Sequence, residues 1–491
     1  MRRVLAASVV LAMAACSRGG DADEEPSADG PAPTTTAAVP TVGEPTLRGP
    51  VTGGSHGFPQ TTTPVDIGAA GYVEEEFFLS GQATSYRYTE PPRPDGDWLV
   101  EPEGDAPFTT RILVRRPEEP DAFNGAVVVE WLNVTSNVDV DVDFGFFAEE
   151  VLREGYAWVG VTAQQIAVDS TGGGPFGDAA VGLRAWDPQR YGNLDHPGDD
   201  FAYDIFSQAG AVLRTPEGRA ALGGVTPELI LADGESQSAF RMATYVNAVD
   251  PVAEVFDGFL IHSRDGGAAP LDGRSFEVEA EEPPTTRLRT DGDAPVLQVI
   301  TESDLFTLRP DAPFPEARQA DGDRIRTWEV AGTAHSDATY LRRLNEQGTH
   351  QFEGFLDLSE VIPFANDGPQ RFVMRAALHA LRDWAADGPQ PPTVESLQVV
   401  EGAIARDEHG NALGGLRTPP IDVPTATLTG EGTPIGSTTP FTLDQLRDLY
   451  GTRDAYLSAY RAATEVAVAA GFILAADAAA LNAEAEAVAF D

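Results

Sequence analysis

Leu229-Ile230-Leu231-Ala232-Asp233-Gly234-Glu235-Ser236-Gln237-Ser238-Ala239-Phe240-Arg241-Met242-Ala243 decides how the rest of the chain is read. Four apolar residues, bounded by polar ones, read as a buried strand. A helical apolar pattern (Phe240, Met242, Ala243, Tyr245, Val246) starts only a few residues later. Between them stands G-x-S-x-S, with Ser236 at the apex of a strand-turn-helix. A serine placed so is a nucleophile elbow, which demands small neighbours because the turn is strained and its flanking backbones approach closely. Ser238 replaces the second glycine of the usual G-x-S-x-G and is still small. The competing reading makes Ser236 a helix N-cap. A literal G-x-S-x-G at Gly53–Gly57 is set aside, because no strand precedes it and Phe58-Pro59 starts no helix.

Working outward, short β-branched runs recur at Thr109–Val114, Ala126–Trp131, Tyr156–Val161, Phe256–Ile261, Val296–Ile300 and Arg326–Val330. Helical stretches such as Val142–Arg153 and Asp200–Leu213 alternate with them. Buried strands alternating with helices imply an α/β fold: a mostly parallel central sheet with helices on both faces. Glu74–Leu79 and Thr84–Tyr88 read as two antiparallel edge strands. The Gly-rich stretch 163–198 reads as an insertion, and the chain from about 411 as a loop followed by helices (Leu443–Leu449, Tyr456–Ala470), which pack on the sheet or cover a pocket.

Partners for Ser236 must come from later loops. In elbow folds the order along the chain is serine, acid, histidine. His335 follows the last core strand in Val330-Ala331-Gly332-Thr333-Ala334-His335, a loop able to reach back over the sheet's carboxyl edge. His262 ends an earlier strand and reads as a pocket residue; His379 lies in an amphipathic helical run. The acid follows Val296–Ile300 in Thr301-Glu302-Ser303-Asp304. Asp304 has the favoured spacing, Glu302 is the alternative, and Asp265 comes third. An acid there fixes the imidazole tautomer and stabilises the imidazolium. For an oxyanion, Gln237 offers the backbone N–H after the nucleophile. Leu132 or Asn133, after Ala126–Trp131, offers the second, with Asn133 taken here.

Composition removes whole classes of chemistry. All 33 basic residues are arginine, so Schiff-base lysines, P-loop lysines and serine–lysine dyads are out. The one cysteine is Cys16, so the body of the chain has no thiol nucleophile, disulfide or thiolate metal site. A formal charge of −44 repels phosphate backbones and excludes nucleic acid as a partner. Asp139, Asp141, Asp143 and Glu150 have EF-hand-like spacing, but Phe144 stands where that loop needs glycine. No metal or organic cofactor is expected.

The N-terminus reads as an address. Arg2-Arg3, an apolar run from Val4 to Ala15 that is too short to span a bilayer, and Ala14-Ala15-Cys16 resemble a lipoprotein signal, with residues 1–15 removed and Cys16 lipidated. Residues 16–48, rich in Asp, Glu, Pro and Thr, read as a disordered tether to a single domain over 49–491. The expected location is extracytoplasmic, on the cell envelope, with membrane contact through the lipid alone.

Several stretches together carry a resemblance. They are Val129-Glu130-Trp131-Leu132-Asn133-Val134, Arg190-Tyr191-Gly192 with His196-Pro197-Gly198-Asp199, Asp204–Gly210, Gly234–Ser238, and Arg406-Asp407 with Gly414–Arg417. In these the chain resembles a bacterial family known simply as "alpha/beta hydrolase domain" proteins. The resemblance implies an α/β-hydrolase fold and a Ser-Gln-Ser elbow, but no particular substrate. The expectation is a serine hydrolase acting on small carboxylic esters through Ser236, His335 and Asp304. The alternative is a surface lipoprotein that uses the scaffold only to bind.

Overall fold

The structure is a computed structural model and describes residues 42–175, 177–273 and 282–490. Cys16, the signal segment and most of the expected tether lie outside the described residues. A nine-stranded sheet forms the centre. Its strands are β1 (Thr46–Arg48), β2 (Tyr72–Tyr88), β3 (Val100–Pro117), β4 (Ala126–Trp131), β5 (Ala157–Val161), β6 (Leu229–Glu235), β7 (Gly258–His262), β8 (Val296–Thr301) and β9 (Ile325–Val330). The spatial order is β1-β2-β3-β5-β4-β6-β7-β8-β9, antiparallel as far as β5 and parallel from there.

The parallel strands are legible because they are buried on both faces. Val127, Val129 and Trp131 enter one core, with helix α2 (Ala202–Val212) and helix α3 (Gln237–Thr244). Ala126 and Val128 enter the other, with helix α1 (Val142–Glu154) and the long helix Gln370–Ala385. The two expected edge strands are one 17-residue strand that pairs with β3 throughout, with a register shift only at Ser85/Tyr86. Gly81 reads as a turn but serves close packing: a Cβ there would lie 2.4 Å from Gln208 Oε1. Strand structure is present before residue 49, where Thr46–Arg48 pair with Ser80–Phe78.

Charge is used inside as well as outside. Arg111 and Arg115 on β3 are fully buried and hold the loop after β4: Arg111 donates to Asp139 at 2.5 Å, and Arg115 pairs with Glu74 at 2.8 Å and with Asp141. Buried pairs of this kind contribute little net stability while intact but cost several kcal/mol, about 3–5, when one partner is removed.

Past β9 the chain returns to the sheet. Leu416 exchanges backbone bonds with Glu329 and Ala331, at 2.7 and 3.0 Å. Gly414 and Gly415 permit this approach, with φ of +73° and +68°; a Cβ on Gly415 would sit 2.7 Å from the Glu329 carbonyl. Leu397, Ile404, Ile421 and Leu428 then form a small core with Ile300, Leu305 and Ala331. The final helices, Leu443–Tyr450, Arg453–Ala469 and Ala478–Glu486, pack on the α1 side of the sheet.

Candidate active site

β6 ends in the turn that carries Ser236. The serine has φ 56° and ψ −117°, a region costing a non-glycine residue about 1–3 kcal/mol. Its N–H donates to His262 O at 3.0 Å, and its carbonyl accepts from Phe240 N–H at 3.1 Å, so the sheet and the helix hold the strained residue from both sides. Gly234 makes the turn passable: a Cβ there would lie 3.0 Å from the Cβ of Ser238. The extra bulk of Ser238 over glycine is absorbed by the glycine facing it.

Ser236 Oγ lies 2.7 Å from His335 Nε2. His335 Nδ1–H donates to Asp304 Oδ1 at 2.9 Å. The second Asp304 oxygen accepts from Thr301 N–H and Oγ1–H, at 2.7 and 2.8 Å, as the capping box of helix α4 (Glu302–Phe306). The structure therefore brings the three expected side chains together.

Glu302, the alternative acid, is placed elsewhere. Its carboxylate accepts from Gly332 N–H at 2.6 Å, Gly430 N–H at 3.1 Å and Arg406 Nη2 at 2.8 Å. Burial pushes its pKa up, and Arg406 and the two N–H groups oppose that shift. It fastens the histidine loop to the C-terminal segment rather than facing the imidazole. Ser303 adds a second fastening, accepting from His335 N–H at 3.2 Å and donating to Gly430 O at 2.7 Å. Asp265 is buried behind, accepting from Gly267 N–H at 2.7 Å.

One expectation is corrected. Asn133 does not hold out its backbone N–H, which donates to Val140 O at 3.0 Å; Leu132 N–H is likewise taken by Val161 O at 3.3 Å. The small bridge between Asn133 and Val140 consumes the donor that the sequence offered. The Asn133 side chain instead grips the elbow, Nδ2 donating to Glu235 O at 3.1 Å and Glu235 Oε2 at 3.0 Å. Gln237 N–H opens α3 and, among the described residues, meets no acceptor; the same holds for Val134 N–H. Gln237's side chain is tied back, its Nε2 donating to Gln164 Oε1 at 2.7 Å.

Glu235, between glycine and nucleophile, was not singled out in the sequence. Its Oε1 stands 3.4 Å from His335 Nε2. The only signal was its place in Gly-Glu-Ser, which cannot show which way the side chain turns. His262 does not line a pocket: it is fully buried, its Nδ1 2.6 Å from Asp143 Oδ1 and its Nε2 2.8 Å from the Gln370 amide.

The EF-hand-like carboxylates diverge. Asp139 and Asp141 face the buried arginines, Asp143 faces His262, and Glu150 pairs with Arg153 and His379. Among the described residues no group of three or more His, Cys, Asp or Glu is arranged to hold a metal ion. Asp143 opens α1, whose first N–H groups donate to Glu130 at 3.0 and 2.9 Å.

Beneath the elbow, burial raises the pKa of Asp233 and Glu130 well above the carboxylate range, helped at Asp233 by the charges of Glu130 and Asp143 and at Glu130 by those of Asp143 and Asp141, while the Phe144 and Asp143 N–H groups oppose the shift on Glu130. The folded state therefore holds protons that the unfolded chain releases. That contribution to stability is complete below the unfolded carboxylate values and is lost as pH rises through the folded ones. Asp233→Asn is accordingly expected to flatten the fall in melting temperature as pH rises from about 4, the ordinary carboxylate value, into the alkaline range. Thermal melts across that range check it, and an unaltered slope counts against the protonated pair.

A strained serine at the carboxyl edge of a parallel sheet, met by an imidazole and a carboxylate from later loops, sets the frame for comparison. Residues 47–483 match the alpha/beta hydrolase domain family. The chain belongs to that family. No curated protein matches this α/β hydrolase. Among solved structures it is similar to fungal esterases from Rhizomucor miehei, at 13% identity over 67% of this chain and 86% of that one, with a TM-score of 0.34. It is also similar to a thermostable esterase from Pseudomonas putida, at 12% identity over 50% and 67% of the two chains, with a TM-score of 0.26. Within the family frame the remaining shared stretches hold structure together. Arg190 donates to Glu76 and to the carbonyls of Gly53 and Val51. Asp204 accepts from Thr84 N–H and Tyr86 Oη–H on β2.

Proposed function

We propose that this α/β hydrolase cleaves carboxylic esters of small molecules through an acyl-enzyme on Ser236. The reading is carried by the relay of 2.7 and 2.9 Å from Ser236 Oγ through His335 to Asp304. Oγ attacks the ester carbonyl carbon while its proton passes to Nε2. The tetrahedral oxyanion is held by Gln237 N–H, next to the nucleophile and without an acceptor of its own; a donor of this kind is worth about 3–4 kcal/mol in the transition state. Collapse expels the alkoxide, which takes the proton from Nε2. Water then attacks the acyl carbon and gives its proton to Nε2. Departure of the carboxylic acid returns that proton to Oγ. Asp304 keeps Nδ1 protonated throughout. Esters are preferred over amides because an alkoxide leaves more readily than an amine anion. A graded series of p-nitrophenyl esters, run beside fluorophosphonate labelling of the mature protein, tests this. An intact protein that neither turns over nor takes label overturns it.

The sequence further supports export and anchoring through Cys16. Labelled palmitate fed to expressing cells is expected to enter the wild-type protein and not Cys16→Ser. Equal labelling of both rejects the anchor.

A further inference from the structure

Glu235 lies inside the site but outside the relay, and its hydrogen bonds fix which of its oxygens faces the imidazole. Asn133 Oδ1 accepts from Thr135 N–H at 2.8 Å, which fixes the orientation of the Asn133 amide. Its Nδ2 then faces Glu235 and donates to both the carbonyl oxygen and Oε2. Oε2 is thus an acceptor, and a proton on this carboxyl belongs on Oε1. That oxygen is the one 3.4 Å from His335 Nε2.

The surroundings favour keeping that proton. Glu235 is buried. Burial is the largest influence raising its pKa, joined by the charges of Asp143 on α1 and Asp304 on α4; His262 on β7 and the Asn133 amide oppose them. Tyr340, on the helix Ala338–Gln351, is an un-ionised phenol whose own pKa is raised by burial and by Glu235. No arginine is among its hydrogen-bond or ion-pair partners.

We propose that Glu235 is a positioning residue for His335: an un-ionised carboxylic acid whose Oε1–H points at Nε2 of the imidazole. The inference rests on the acyl-enzyme reading and assigns a task within it. Before acylation, Nε2 receives Ser236 Oγ–H at 2.7 Å, and Glu235 Oε1, at 3.4 Å, stands back from that nitrogen. Once Oγ is acylated it has no hydrogen, and Glu235 Oε1–H is the donor that remains to hold the ring until water arrives. No proton is transferred; a hydrogen bond changes importance. A carboxylate in the same place would instead stabilise the imidazolium and retain the proton that the leaving alkoxide needs.

Deacylation should therefore suffer when the donor is removed. Glu235→Met is expected to lower kcat about tenfold and KM with it, leaving kcat/KM within about threefold and producing a burst of p-nitrophenol. Glu235→Gln is expected to recover most of the loss, because its amide accepts from Asn133 with one end and donates to Nε2 with the other. An equal fall of kcat and kcat/KM in Glu235→Met, or no fall in kcat, overturns the proposal. A second readout needs no substrate. In the infrared difference between wild type and Glu235→Gln at neutral pH, the carbonyl band of a protonated carboxyl should disappear; loss of carboxylate bands instead overturns the proposal. That arm stands even if ester hydrolysis fails, so the two failures can be told apart.

Discussion

Ser236→Ala is expected to lower kcat by about 10⁵–10⁶-fold and to abolish fluorophosphonate labelling, with the fold intact. The size follows from what the oxygen does. It is the attacking atom, and without it the imidazole can only promote direct attack by water on a substrate positioned for Oγ. The small residual rate comes from the oxyanion donors and binding. The fold survives because alanine keeps the Cβ that the elbow already accommodates, and the backbone bonds to His262 and Phe240 do not involve the hydroxyl. Undiminished labelling of a folded Ser236→Ala protein would move the nucleophile elsewhere.

Asp304→Asn is expected to cost about 10⁴-fold in kcat with little change in melting temperature. An amide can present its NH₂ to Nδ1, turning the imidazole to the wrong tautomer and placing the hydrogen where Oγ should deliver its own. Glu302→Gln should behave in the opposite sense. Its carboxylate is fully buried and joins Gly332, Gly430 and Arg406, so losing its charge weakens the link to Arg406, which keeps Glu431, and leaves a buried N–H poorly paired. Interactions of that kind are worth about 3 kcal/mol. Stability should drop clearly while kcat falls only about 10- to 100-fold, through a loosened histidine loop. Melting temperature and kcat measured on both variants separate the roles. A large kcat loss in Glu302→Gln at constant stability, with Asp304→Asn nearly normal, would exchange the two.

What could be read from the sequence follows from which interactions are local. β4 to β8 are mostly apolar on both faces and visible as runs, while β9 is an apolar frame around Arg326, Thr327 and Glu329. The Ser236 elbow needs only neighbours in sequence, and the His335 and Asp304 loops follow from strand ends. β2 escaped because Gly81 looks like a turn until Gln208 is seen packed against it. Asn133 failed as an N–H donor because Val140, seven residues on, claims that hydrogen. Spacing favours Asp304 over Glu302, but the partner that turns Glu302 away from the imidazole, a glycine 128 positions later, is out of reach of local sequence. Glu235's facing of His335 is likewise a tertiary fact.

The fastening of the histidine loop has a consequence for how the protein is made. Gly332 and Ser336 are held by Glu302 and by Pro434 O, and Glu302 in turn by Gly430 and Arg406. A nascent chain that has emerged only as far as residue 400 already contains Ser236, Asp304 and His335, yet lacks the strap that locks the imidazole in line. The contacts that fix the histidine loop therefore form only once the segment around 406–436 has been made and wraps back onto the sheet.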